Sequence, residues 1–189
     1  MQRYHITQNG FVDQNQNLSR TIQTELIEDE TAFAKQDNSL DEYKETHEKE
    51  NLSPQIVYLM YHFRRFIGYQ IMTNLKQDIS YTLDVGCEIS RKIPLYFREI
   101  NDCNKAIYIG LDPIPTNTNR DYLFINGKFE GLHQFLDTFF DCLIFSTSLD
   151  HFPDLEAVVC EIRKIIKKTA WFFLGRATRS QYCWRINYG

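Results

Sequence analysis

Two acids stand at the ends of two apolar runs, and what a carboxylate can do at such a place is the first chemistry this chain offers. Tyr81-Thr82-Leu83-Asp84-Val85-Gly86-Cys87 ends in an acid and a glycine, and Leu111-Asp112-Pro113 follows about one β-α-β unit later. Asp84 can accept hydrogen bonds from an ammonium group or from nearby backbone amides. Asp112 is suited to accept from two vicinal ribose hydroxyls. Gly86 lets the backbone turn sharply away from a sheet and leaves room for a ligand to approach. Either acid alone reads more readily as a turn or helix cap. In this order, one crossover apart, they are the means by which an α/β domain presents a nucleoside-bearing cofactor at its strand ends. Glu88 and Ser90 stand where a glycine-rich turn is expected.

The elements that must position these acids alternate. Tyr81–Gly86, Ala106–Leu111, Tyr122–Ile125, Asp141–Ser146 and Trp171–Leu174 read as buried strands. Pro94–Asn101 reads as a short helix, with proline tolerated in its first turn, and Glu130–Thr138 as a turn-and-helix segment. Pro153-Asp154 opens a helix over Leu155–Ile166, with Leu155, Val158, Val159, Ile162 and Ile166 as its apolar face. Strands alternating with helices imply a parallel sheet covered on both sides. Ahead of the sheet, Ser53-Pro54 starts a long amphipathic helix over 54–77, in which Ile56, Met60, Phe63, Ile67, Ile71 and Leu75 recur every three or four residues. Its other face carries Tyr58, Tyr61, His62, Arg64, Arg65 and Tyr69, read first as a solvated basic face and second as a lid on the site. Ser39-Leu40-Asp41-Glu42 has capping-box spacing for a charged helix over 40–49. Residues 1–38 read as extended or weakly ordered, with a short helix around Thr21–Glu30.

At 189 residues the chain fits one domain with a substantial core. Charge is uneven. Residues 1–51 hold eleven acids and five bases, net −6, leaving fourteen acids and sixteen bases, net +2, for residues 52–189. The chain therefore divides into a polar acidic extension, 1–51, and an α/β domain, 52–189. A total charge of −4 supplies no global basic field for nucleic acid or anionic membrane. No apolar stretch reaches the ~18 residues that span a bilayer. The five cysteines, Cys87, Cys103, Cys142, Cys160 and Cys183, are far apart and odd in number, and three lie in apolar segments. That pattern implies reduced thiols and a cytoplasmic setting, with Cys142 and Cys160 as core residues. The five histidines show no metal-ligand spacing.

The run Phe139-Phe140-Asp141-Cys142-Leu143-Ile144-Phe145-Ser146-Thr147-Ser148-Leu149-Asp150-His151-Phe152-Pro153-Asp154 is followed by Glu161-Ile162-Arg163-Lys164-Ile165-Ile166-Lys167. This resembles a class I S-adenosylmethionine-dependent methyltransferase of the "methyltransferase domain 11" type. There an F-D strand enters an L-x-H-x-x-D loop and a helix ends in E-I-x-R-x-L-K. The resemblance covers about residues 80–176. It implies a three-layer α/β/α, Rossmann-like fold of about five parallel strands, here with an N-terminal helical extension. It also implies that Asp84 and Gly86 hold the methionine end of S-adenosylmethionine, with Cys87 contributing backbone. Asp112 would bind the ribose and Pro113 would lie against the adenine. Phe129, in Gly127-Lys128-Phe129-Glu130, would flank the adenine, and Ser146 would sit beside the methionine portion. Asp150 and His151 would face a small-molecule or sugar-like acceptor, His151 as general base or orienting group, or else as a cap of the following helix.

The chain departs from the family pattern at three places. D-x-G-x-G-x-G becomes Asp84-x-Gly86-x-Glu88-x-Ser90, which adds a negative charge near the expected cofactor carboxylate unless Glu88 pairs with Arg91 or Lys92. Lys128 replaces an acid that often recognises the adenine amino group. The family's C-terminal hairpin is reduced to one candidate edge strand, Gln181–Tyr188; without it strand five would be an open apolar edge and a route to oligomers. The resemblance therefore implies methyl transfer first. The second expectation is a non-catalytic interaction module that kept the fold, and a nucleotide-dependent dehydrogenase is a distant third.

Overall fold

The structure of the protein is a computed structural model that describes residues 2–24, 81–87, 93, 106–113, 119–146, 148–149, 152–175 and 181–187. The helices expected over 40–49, 54–77 and 94–101 lie outside these residues. So do Glu88, Ser90, Asp150 and His151.

Every strand expected from the apolar runs is present. They are β5 (Tyr81–Val85), β6 (Ile107–Asp112), β7 (Leu123–Asn126), β8 (Phe140–Ser146), β9 (Ile166–Gly175) and β10 (Gln181–Asn187). With β4 (Thr21–Gln23) they form a seven-stranded sheet in the order β10-β9-β8-β5-β6-β7-β4. Six neighbouring strands run parallel, and β10 closes the β9 edge antiparallel, from Gln181↔Gly175 to Asn187↔Thr169. The edge strand foreseen at Gln181–Tyr188 thus covers the fifth strand as expected. The chain climbs outward from β5 through β6 to β7, then returns to β8 on the other side of β5. The ends of β5 and β8 therefore flank the point where the strand order reverses, the usual ligand crevice of an open parallel sheet.

Alternation along the strands divides the sheet into two faces. Leu83, Val85, Ile109, Leu111, Leu123, Ile125, Leu143 and Phe145 share one hydrophobic cluster with Val158, Ile162 and Ile165 of helix α1 (Leu155–Ile165). On the other face Thr82, Asp84, Tyr108, Phe124 and Asn126 are buried too, as befits strands covered on both sides. Asp154 caps α1 by accepting from Glu156 N (2.9 Å) and Ala157 N (3.0 Å). The apolar face of α1 differs from the expected one. Leu155 and Val159 are 56% and 46% exposed, whereas Glu161 is buried. The Glu161 carboxylate turns inward because it accepts from His133 N (2.6 Å) and faces His133 Nδ1 at 2.8 Å, tying α1 to a short 3-10 turn, Leu132–Gln134. That turn is all the helix formed in the segment read as Glu130–Thr138. Cys142 is in the core as expected, but Cys160 is on the exposed side of α1.

The largest departure is at the N-terminus. Residues 4–23 are β-structure, and Thr21–Gln23, expected within a short helix, is a strand paired to β7 through Ile22↔Ile125. β1 (Tyr4–Thr7), β2 (Gly10–Asp13) and β3 (Leu18–Ser19) form a small antiparallel sheet. Its second turn is organised by Asp13, whose carboxylate accepts from Asn15 N and Asn17 N, both at 2.8 Å. Ile6, Phe11 and Ile22 join the main core. Hydrogen bonds from Tyr4 N to Phe135 O (2.8 Å) and from Tyr81 Oη to Ile6 O (3.1 Å) anchor the small sheet to the domain. These long-range bonds give a polar segment its partners, which a local reading of its composition does not supply.

Candidate functional site

The C-terminal ends of β5, β6, β7 and β4 lie side by side, and the candidate residues sit on them. Val85 ends β5 opposite Leu111, and Gly86 then turns with φ +75°, a backbone conformation that suits glycine. Gly86 N and Cys87 N both donate to Leu111 O, at 2.8 and 3.3 Å, so the turn is folded against the end of β6. Asp112 ends β6, buried, beside Asn126. Its main-chain carbonyl accepts from Asn126 Nδ2 (3.0 Å) and Gly127 N (3.1 Å). The structure thus brings Asp84, Gly86, Cys87, Asp112 and Pro113 to one edge of the sheet. Ser146, the last residue of β8, is on the same edge, paired with Gly175.

Side chains on the sheet face beneath this edge are linked. Asp84 is 3% exposed and accepts from Tyr108 Oη at 2.6 Å. The Tyr108 ring meets Tyr122 edge-on, with centroids 5.1 Å apart. Tyr122 Oη accepts from Arg120 Nη1, and the buried guanidinium lies 3.9 Å from the centroid of Phe124. Cys87 Sγ sits 3.9 Å from Tyr122 Oη in a notch that exists because residue 110 is glycine; a Cβ there would be 2.6 Å from the sulfur. Burial pushes the Cys87 thiol well up, and the carboxylates of Asp112 and Asp84 push it further, against the opposing pull of Arg120. Tyr122 is raised by its own burial first and by Cys87 second. A thiol held neutral in this way contributes packing and main-chain geometry, not a nucleophile.

Phe129 departs from the expectation of an adenine-flanking ring. It is 1% exposed, edge-on to Phe145 (5.2 Å) and Phe152 (6.0 Å), and belongs to the core on the α1 side. The ring thus points into the core and not toward the strand ends. Lys128 and Glu130, its neighbours, are half-buried. Two participants were missed. Ser148 Oγ donates to Val85 O at 2.6 Å, and a Cβ on Gly86 would stand 2.5 Å from Ser148 Cβ. Tyr108 was passed over as part of an apolar run, although a phenol on a buried central strand needs a partner for its hydroxyl. That need was the available signal.

Residues 83–174 match a protein family described as "Methyltransferase domain". Among solved structures, the fold is similar to the plantazolicin methyltransferase BpumL in complex with a monoazolic desmethylPZN analog and SAH, at 14% identity and TM-score 0.52. That match covers 76% of this chain and 56% of that one. BpumL in complex with SAH matches at 13% identity and TM-score 0.51, with the same coverage. Magnesium protoporphyrin IX methyltransferase (ChlM) from Synechocystis PCC 6803 with bound SAM is 12% identical, with TM-score 0.49 over 84% of this chain and 81% of that one. The match thus spans little more than half the length of the BpumL chains. No curated protein sequence matches the chain. In its strand order, its glycine turn after the central strand and its matching sequence, the segment 83–174 is similar to the methyltransferase-domain family.

Proposed function

We propose that the chain binds S-adenosylmethionine across the ends of β5 and β6 and transfers its methyl group to a small-molecule acceptor. The observation that carries this reading is the pairing of a left-handed glycine, Gly86, with a strand-end acid, Asp112, beside the point where the strand order reverses. The donor set fits the cofactor. Asp112 would accept from the ribose hydroxyls, Asp84 would meet the methionine ammonium, and the bare α-carbon of Gly86 would let the chain between them approach. Pro113, half-buried after Asp112, would lie against the adenine. Bound there, the cofactor supplies an electrophilic sulfonium methyl. The chain's part is to hold the acceptor in line with that methyl, which needs placement more than a strong base. Asp150 and His151 are the residues we assign to that task, with His151 orienting the acceptor or taking its proton, while Ser146 would sit beside the methionine portion of the cofactor. The BpumL structure with a monoazolic analog supports a small-molecule acceptor.

A second reading, a domain that kept the fold without the chemistry, is favoured by one observation. The glycines at this edge are approached by protein side chains: Ser148 at Gly86, Cys87 at Gly110 and Thr24 at Gly127. Calorimetric titration with S-adenosylmethionine separates the two. Saturable binding by the natural chain supports the first. Absence of binding at millimolar cofactor, together with binding gained in Glu88→Gly, supports the second.

A further inference from the structure

The acid that would meet the cofactor's ammonium group does not stand alone. In the β5–β6 register Asp84 lies opposite Gly110, which offers no side chain, and Thr82 lies opposite Tyr108. Tyr108 therefore reaches diagonally along the sheet face, and its hydroxyl donates to Asp84 Oδ2 at 2.6 Å. Both residues are 3% exposed, so this is a contact screened from water, where a hydrogen bond to a carboxyl group is strong and directional. The phenol is itself held in place. Tyr122 packs edge-on against its ring at 86°, and Arg120 both donates to Tyr122 and stacks on Phe124. A phenylalanine would fill the same volume on β6. What the hydroxyl adds is a fixed rotation of the Asp84 carboxyl plane, set before any ligand arrives.

We infer that Tyr108 is a positioning residue for the amino-acid end of the cofactor: it fixes the direction in which Asp84 meets an ammonium group. The inference rests on the cofactor reading above and deepens it, because it divides the binding site into two separable parts. The Tyr108–Asp84 pair governs the amino-acid end, and Asp112 governs the nucleoside end.

Two ligands that differ at one end test this division. S-adenosylhomocysteine carries both the nucleoside and the amino acid, whereas 5′-methylthioadenosine carries the nucleoside alone. Their affinities are measured by calorimetry on the natural chain and on Tyr108→Phe, with thermal melting to establish that the variant is folded. The expected result is a loss of about ten-fold in affinity for S-adenosylhomocysteine, the size of one hydrogen bond to a charged group, with 5′-methylthioadenosine unchanged. Equal weakening of both ligands, or no change in either, overturns the positioning role. If the natural chain binds neither ligand, the cofactor reading itself fails and this inference fails with it. A natural chain that binds S-adenosylhomocysteine, beside a variant that binds it equally well, sinks the inference alone. Should Tyr108→Phe not fold, 3-fluorotyrosine introduced at this one position keeps the shape and makes a stronger donor. A changed ratio of the two affinities is then expected, and an unchanged ratio overturns the role.

Discussion

Cys87 and Tyr122 show how individual residues at this edge are tuned. Both are neutral when protonated, and burial favours that form, so the folded state holds these protons more tightly than the unfolded chain. The stability this contributes is complete below the ordinary thiol pKa of 9.0 and is lost as pH rises beyond it. Urea unfolding followed through the alkaline range is therefore expected to show stability falling above that pH, and Cys87→Ala is expected to flatten the fall. An equally steep fall in the variant would place the alkaline sensitivity elsewhere. Residue placement was legible in the sequence where it depended on the main chain: Asp84, Gly86 and Asp112 stand where the apolar runs end. It was illegible where it depended on side-chain direction. Phe129 sits in the expected loop yet faces the core, and Ser148 reaches Val85 across 63 residues of sequence.

Elements acquire their positions through a few polar links as well as through the core. Asp141, the acid of the F-D strand, is one of these. It accepts from Tyr81 N at 2.9 Å and pairs with Lys167 Nζ at 2.5 Å, so one carboxylate at the start of β8 joins the starts of β5 and β9. This gives the motif a structural meaning, since it ties three neighbouring strands together at the end opposite the site, where the β8–β9 register shifts between Phe140 and Cys142. Asp141→Ala leaves the Tyr81 amide without this acceptor, which costs about 1–3 kcal/mol. A matching drop in unfolding free energy and faster hydrogen exchange at Tyr81 are the expected outcomes; an unchanged exchange rate would remove Asp141 from this role. Glu161 plays a comparable part for the loop after β7, and here the sequence misled. Helical periodicity placed Leu155 and Val159 on the buried face, but the bonds from His133 draw a charged residue inward and leave those two apolar side chains outside. The strands were read well because parallel strands covered on both faces show as unbroken apolar runs.

Taken whole, the molecule is a mixed sheet whose two edges are both supplied by segments outside the matched region 83–174. β10 pairs along all of its length with β9, and β4 extends the sheet beyond β7. The β10 edge could be foreseen because one short apolar segment remained after strand five. The β4 edge could not, because its partners are about a hundred residues away and its own composition is polar. Both additions leave the C-terminal ends of β5 and β6 at the centre of the same edge, with Gly86 and Asp112 side by side, and the proposed function depends on that placement. A crystal structure with S-adenosylhomocysteine tests it most directly. The ligand is predicted to lie over the Gly86 turn with its ribose hydroxyls within hydrogen-bonding distance of the Asp112 carboxylate. A ligand bound elsewhere, or a crystal that takes up none at saturating concentration, would contradict the account.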